Sequence, residues 1–252
     1  MIDSHCHLNC LTGDVEDFLA KAKKSGVDFL LCPGIEPSSF ADIVQLANDY
    51  DNVKAGLGVH PNEVSANNIS ADKLYDYANR SEVIAIGETG LDYYRDSSDQ
   101  DLQKEQFINH IEVAKSLNKP LIIHARDSHS DILEILQQRQ AGPAIFHCFT
   151  ATTEIAKAAI NLGCLISFSG IVTFKNAKAL QKVVTEIDLQ NILIETDAPY
   201  LAPEPYRGKM NQPAYLPYTA KKIAELKDID LATVIKATTN NFIKMFPTVA
   251  LL

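Results

Sequence analysis

No stretch of the chain approaches the roughly 20 consecutive apolar residues that a membrane-spanning helix requires, so no such helix and no membrane partner is expected. The N-terminus also lacks a basic segment followed by an apolar one. It runs straight into MIDSHCHL, so no cleaved signal peptide is predicted and the cytoplasm is the expected compartment. No C-x-x-C pair occurs among the 5 cysteines, which are odd in number and scattered. Cys6, Cys10, Cys32, Cys148 and Cys164 are therefore read as reduced, mostly buried thiols rather than a disulfide framework. Basic charge is in deficit, with 23 Lys and Arg against 32 Asp and Glu and a net charge of -9. That balance argues against coating nucleic acid by general electrostatics, although a few arginines and bound cations can still recruit phosphate locally. No G-x-G-x-x-G follows the first apolar run, which removes the usual dinucleotide-binding signature. There is no low-complexity tract, and 46% hydrophobic with 22% charged residues is the composition of a folded globular protein.

What is present is a regular alternation. Eight short apolar runs, at 1–8, 29–34, 53–60, 83–88, 120–126, 144–149, 165–170 and 192–197, are separated by stretches of helical period. In DLQKEQFINHIEVAKSLN, for example, Phe107, Ile111 and Ala114 fall at i, i+4 and i+7, and several such stretches stop at Gly or Asn. Eight strand–helix units in 252 residues predict an α/β fold of the (β/α)8 TIM barrel type, as one domain spanning 1–252. A doubly wound open sheet shares this alternation. The barrel is preferred because residues capable of chemistry end many of the runs instead of gathering at one switch point. The irregular stretch after the eighth run, with YRGKMNQP, is the one long loop and is expected to be functional.

The run ends carry the chemistry. His5 and His7 end the first, His60 the third, Glu88 the fourth, His124 the fifth, His147 the sixth and Asp197 the eighth, so five of the 7 histidines sit there. Singly, each reads more readily as a hydrogen-bonded histidine or a capping acid than as a ligand. Jointly they do not, because a barrel brings its strand ends to one mouth. On a strand, Asp3, His5 and His7 share one face. Four histidines, a glutamate and an aspartate are too many ligands for one catalytic zinc, which takes three protein ligands and keeps a position open. Two divalent ions fit better. The economical assignment gives His5, His7 and Asp197 to one ion, His124 and His147 to the other, and Glu88 to both. A water activated by both ions would be the nucleophile, with Asp197 orienting it or taking its proton. Imidazole and carboxylate ligands suit Zn, Mn and, less well, Mg.

The segments IDSHCHLN, GVHP, IGETGLDYY, PLIIHARDS, HCFT, SFSGIVTF and IETDAPYLAP with YRGKMNQP, in this order, resemble the TatD family of metal-dependent deoxyribonucleases, within the amidohydrolase-like hydrolases. The resemblance spans the chain and implies a TIM barrel that hydrolyses DNA phosphodiesters, often from the 3′ end. It implies ligand roles for His5, His7, Glu88, His124, His147 and Asp197, with Glu88 and Asp197 as the catalytic carboxylates. At Asn9 the family often carries Asp, which spares the ligands.

Arg126, one pleat beyond His124, is expected to bind phosphate, as are Arg207 and Lys209 in the long loop. His60 is expected to contact substrate or water. Tyr93, Tyr94 and Phe174 are candidates for stacking on bases, with core packing the alternative for Phe174. Asp3 and Glu195, one layer deeper than His5 and Asp197, are expected to orient a histidine N–H. His110 and His129 fall in helical stretches and receive no chemistry. The expected substrate is DNA, single-stranded or at 3′ ends, with no obligate protein partner. Hydrolysis of a small cyclic amide, lactone or phosphoester is the competing reading, against which stands Glu88 where such two-metal relatives commonly use a carboxylated lysine.

Overall fold

Continuous buried runs such as VIAIG and the LII of LIIHAR are what strands covered on both faces look like, and capped polar–apolar stretches between them make the helices. The computed structural model describes residues 1–94 and 99–251. Its elements are β1 (Ile2–Asp3), α1 (Val15–Lys24), β2 (Phe29–Pro33), α2 (Phe40–Asp49), β3 (Val53–Leu57), α3 (Val64–Asn67), α4 (Ala71–Ala78), β4 (Val83–Asp92), α5 (Gln100–Leu117), β5 (Leu121–Arg126), α6 (His129–Gln138), β6 (Ala144–Phe146), α7 (Thr153–Asn161), β7 (Cys164–Phe168), α8 (Lys178–Glu186), β8 (Ile192–Ile194), α9 (Leu216–Lys227) and α10 (Leu231–Met245). The strands hydrogen-bond in chain order from β1 to β8, and the fold is the (β/α)8 TIM barrel that the alternation predicts.

The chain divides into two compact units. The first comprises residues 1–31, 148–157 and 165–252. Within it β1 pairs with β2, Ile2 opposite Phe29, and β7 pairs with β8, Ile166 opposite Ile192. The chain just past β1 also meets β8: the Ser4 amide donates to the Ile194 carbonyl at 3.1 Å and the Asp197 amide to the His5 carbonyl at 2.9 Å. Helix α1 begins where the Asp14 carboxylate accepts the Glu16 amide at 3.0 Å, and α10 where Asp230 does the same for Thr233 at 2.8 Å.

The second unit comprises residues 32–147 and 158–164. Here β4 lies between β3 and β5. Ile86 faces Leu121 but Thr89 faces Ile123, so β4 carries one extra residue around Gly87 and Glu88. Such a bulge re-aims a side chain. The strand needs glycine at Gly90, where φ is +137° and a Cβ would fall on the His124 carbonyl oxygen.

Several strand boundaries differ from the sequence expectation: β6 stops at Phe146 and β8 at Ile194, so His147 and Asp197 follow their strands. β1 ends at Asp3, so His5 and His7 follow the strand instead of lying in it. Beyond Asp3 the backbone bonds residue by residue, Cys6 to Leu31 and His7 to Ala198. β3 ends at Leu57, which puts His60 at the head of a 3-10 turn. β4 runs on to Asp92, with all ten residues buried.

Candidate active site

In the first unit His5 is fully buried and His7 is 5% exposed. Their Nε2 atoms lie 3.1 Å apart, with the rings at 81°. Asp197 Oδ1 is 3.6 Å from the His7 Nε2 and 3.8 Å from that of His5. Three ligands each about 2.1 Å from a tetrahedral ion would be about 3.4 Å apart, so this spacing fits a divalent cation. Asp197 sits at φ +57°, a left-handed conformation that aspartate tolerates. Two buried side chains hold that turn. The Asp3 carboxylate accepts from the Thr196 amide at 2.9 Å and the Thr196 hydroxyl at 2.6 Å. Asn211 donates to the carbonyls of Thr196 at 2.8 Å and Tyr200 at 2.6 Å.

Asp3 thus orients the Asp197 turn and the His5 amide, where the sequence reading had it orient a histidine ring. Burial pushes its carboxyl up to about 7, against the hydrogen bonds from Thr196. Glu195 accepts the Cys148 amide at 2.7 Å and so fixes the backbone immediately after His147.

In the second unit the Glu88 carboxylate gathers three histidines. Its Oε1 lies 2.8 Å from His147 Nε2, 3.1 Å from His124 Nδ1 and 3.4 Å from His60 Nε2. Burial pushes the Glu88 carboxyl up, but the charge of His147 and the hydrogen bonds from His124 and His147 hold it well below the usual range. The other nitrogen of His124 faces Asp92 Oδ2 at 3.1 Å, the carboxylate–imidazole arrangement that steers a metal-ligating histidine. Asp92 was not among the residues read from the sequence.

His60, Glu88 and His124 offer ligand atoms within 4.8 Å of one another. For His60, however, Nδ1 accepts the Asn62 amide at 3.1 Å. The neutral ring then carries its proton on Nε2, which makes it a donor toward Glu88 rather than a lone-pair ligand. Burial, with the positive charge of His124 next, lowers its pKa to about 3, which keeps the ring neutral.

The cations come with aromatic partners. In the second unit the Arg126 guanidinium lies 3.6 Å from the centroid of the Tyr94 ring. In the first, Arg207 lies 4.2 Å from Phe174, and Lys209 lies 5.9 Å from Tyr206. Arg207 and Lys209 are exposed. His110 and His129 lie in α5 and α6. His110 is fully buried, and its Nε2 accepts the Val59 amide at 3.0 Å.

A family model described as TatD related DNase matches residues 2–247. The chain belongs to this family. Among its relatives, YcfH of Escherichia coli (strain K12), named an uncharacterized metal-dependent hydrolase, is 41% identical over 98% of this chain and 95% of its own. YabD of Bacillus subtilis (strain 168), with the same description, is 39% identical over 98% of both chains. The crystal structure of YJJV, a TatD homologue from Escherichia coli K12, superposes with a TM-score of 0.91 at 26% identity, covering 98% of each chain. This TatD protein is accordingly a metal-dependent hydrolase, and its histidine and carboxylate clusters have the donor chemistry and spacing to bind divalent metal.

Proposed function

We propose that the protein is a deoxyribonuclease that hydrolyses phosphodiesters of single-stranded DNA or of 3′ ends, working from the 3′ end with two divalent cations, Zn, Mn or Mg. The observation that carries this reading is the register at the end of β4 and β5. Gly90 opposes His124 and Asp92 opposes Arg126, so a carboxylate-steered imidazole and a guanidinium follow one another along β5. Metal affinity and phosphate affinity side by side suit a phosphodiester better than a neutral amide or lactone.

In this reading His5, His7 and Asp197 would hold one ion, and His124, His147 and Glu88 would hold the other. When bound, the cations would make water more acidic and neutralise charge building on the phosphoryl oxygens. The chain's own residues do the rest. Asp197, held by Asp3 through Thr196 and by Asn211, orients the attacking water and accepts its proton. His60, with its proton on Nε2, donates to a phosphoryl oxygen or to water. Arg126 meets the negative charge that develops on the scissile phosphate. Arg207 and Lys209 position the strand without reading its bases. The scattered cysteines, with no C-x-x-C pair among them, fit a reduced, cytoplasmic setting. Among the described residues no helix is long and apolar enough to cross a membrane.

The test is a substrate panel with metal-loaded protein: single-stranded oligonucleotides labelled at either end, beside a lactone, a cyclic amide and a simple aryl phosphodiester. The reading expects mononucleotides released from the 3′ end. Turnover of the lactone or amide with intact oligonucleotides would transfer the protein to the competing class.

A further inference from the structure

Two adjacent tyrosines leave β4 with opposite fates. Tyr93 is tethered, its hydroxyl donating to Asp131 Oδ2 at 2.8 Å, and Lys104 bonds the same oxygen at 2.8 Å. Tyr94 has no such tether. At 63% exposure it is the most exposed large hydrophobic side chain among the described residues. Its backbone is nonetheless fixed, because its amide donates to Asp92 Oδ1 at 3.0 Å while Oδ2 of the same carboxylate faces His124. The Arg126 guanidinium lies against the ring, and among the described residues no carboxylate is paired with that cation. An aromatic face is therefore held outward over a cation, one carboxylate away from a candidate metal ligand.

We infer that Tyr94, backed by Arg126, is a stacking platform for a nucleobase beside the scissile phosphate. The inference rests on the deoxyribonuclease reading and names a subsite within it. Leaving a fixed aromatic ring in water is unfavourable unless a ligand covers it, and every base offers a flat π-face to do so. A guanidinium stacked on a ring keeps its in-plane N–H donors, so Arg126 can back the ring and still reach a phosphate oxygen. Stacking is indifferent to base identity, so the platform orients the strand without imposing a sequence. It also gives an acidic protein a hold on DNA that does not depend on net charge.

Tyr94→Ala separates this role from a structural one when assayed on two single-stranded oligonucleotides, one intact and one abasic at the nucleotides flanking the cleaved bond. Removing one stacked base contact is expected to raise KM about tenfold on the intact strand, with kcat within about twofold. On the abasic strand the variant and the wild type should have the same KM. Tyr94→Trp should match or improve on the wild type. An unchanged KM on intact DNA, or an equal rise on both strands, overturns the platform and leaves the nuclease reading standing. A wild-type protein that cleaves neither oligonucleotide with any divalent ion removes both.

Discussion

Gln103 of α5 bonds the backbone of Asp92 on both sides: its Oε1 accepts the Asp92 amide at 2.8 Å and its Nε2 donates to the Asp92 carbonyl at 3.1 Å. Both residues are buried. The pair ends β4 at the residue whose side chain steers His124. Gln106 and His110 lie on the same helix. Gln106 accepts the Ile69 amide at 3.3 Å, and His110 accepts the Val59 amide. α5 therefore turns a polar inner side toward the end of β4 and toward the backbone at Val59 and Ile69. Gln103→Leu keeps the volume and leaves two buried backbone groups unpaired, which should destabilise the protein by on the order of 2 kcal/mol. Urea unfolding measures it, and a loss below about 0.5 kcal/mol would show that Asp92 finds other partners.

Asp92→Asn tests the carboxylate behind His124 directly. The amide retains the shape but not the charge that makes the imidazole a better ligand. Metal affinity should fall about 10- to 100-fold with the fold intact. Competition titration against a chelating dye reads the change, and unchanged affinity would reduce Asp92 to a packing role.

Much of this was legible in the sequence because buried parallel strands read as uninterrupted apolar runs, and because His5, His7, Glu88, His124, His147 and Asp197 all stand at run ends. What escaped was set by partners distant in sequence. Asp92 follows the polar, glycine-containing ETGL, which looks like a loop, and stays in the sheet because Gly90 packs on His124 and Gln103 closes the strand. Asn211 was passed over for the charged residues beside it, although a fully buried asparagine must spend its amide on backbone, here that of Thr196 and Tyr200. β1 was read too long because alternation of polar and apolar residues persists to Leu8 while strand pairing stops at Asp3.

The buried His110 gives the stability a pH dependence unrelated to metal binding. Burial lowers its pKa from 6.5 to about 4. Because the unfolded chain binds this proton more readily, the contribution is complete above pH 6.5, declines as pH falls, and is lost by about pH 4. The displacement corresponds to on the order of 3 kcal/mol. His110→Gln, which can still accept the Val59 amide, should lose less stability than the wild type between pH 7 and pH 4. Parallel unfolding curves across that range would contradict the assignment.

Arg207 and Lys209 predict a shallow salt response. Each phosphate contact on a single strand contributes about 0.7 to the salt slope, so an acidic protein with two or three such contacts should show a slope of about two. Arg207→Ala or Lys209→Ala should lower that slope and raise KM alike on all sequences. Steady-state kinetics from low to moderate salt measure both, and an unaltered slope in both variants would remove the loop from the DNA path.

The central claim is that ions held by the histidine and carboxylate clusters drive DNA hydrolysis. It is tested most directly by following a 5′-labelled single-stranded oligonucleotide with protein stripped by chelator and then resupplied with Mg²⁺, Mn²⁺ or Zn²⁺. The account predicts that the stripped protein stays folded by circular dichroism, since its core of buried strands does not depend on metal, and cleaves nothing. At least one resupplied ion should restore stepwise loss of 3′ nucleotides. Cleavage that survives exhaustive stripping, or intact DNA under every ion, would contradict it.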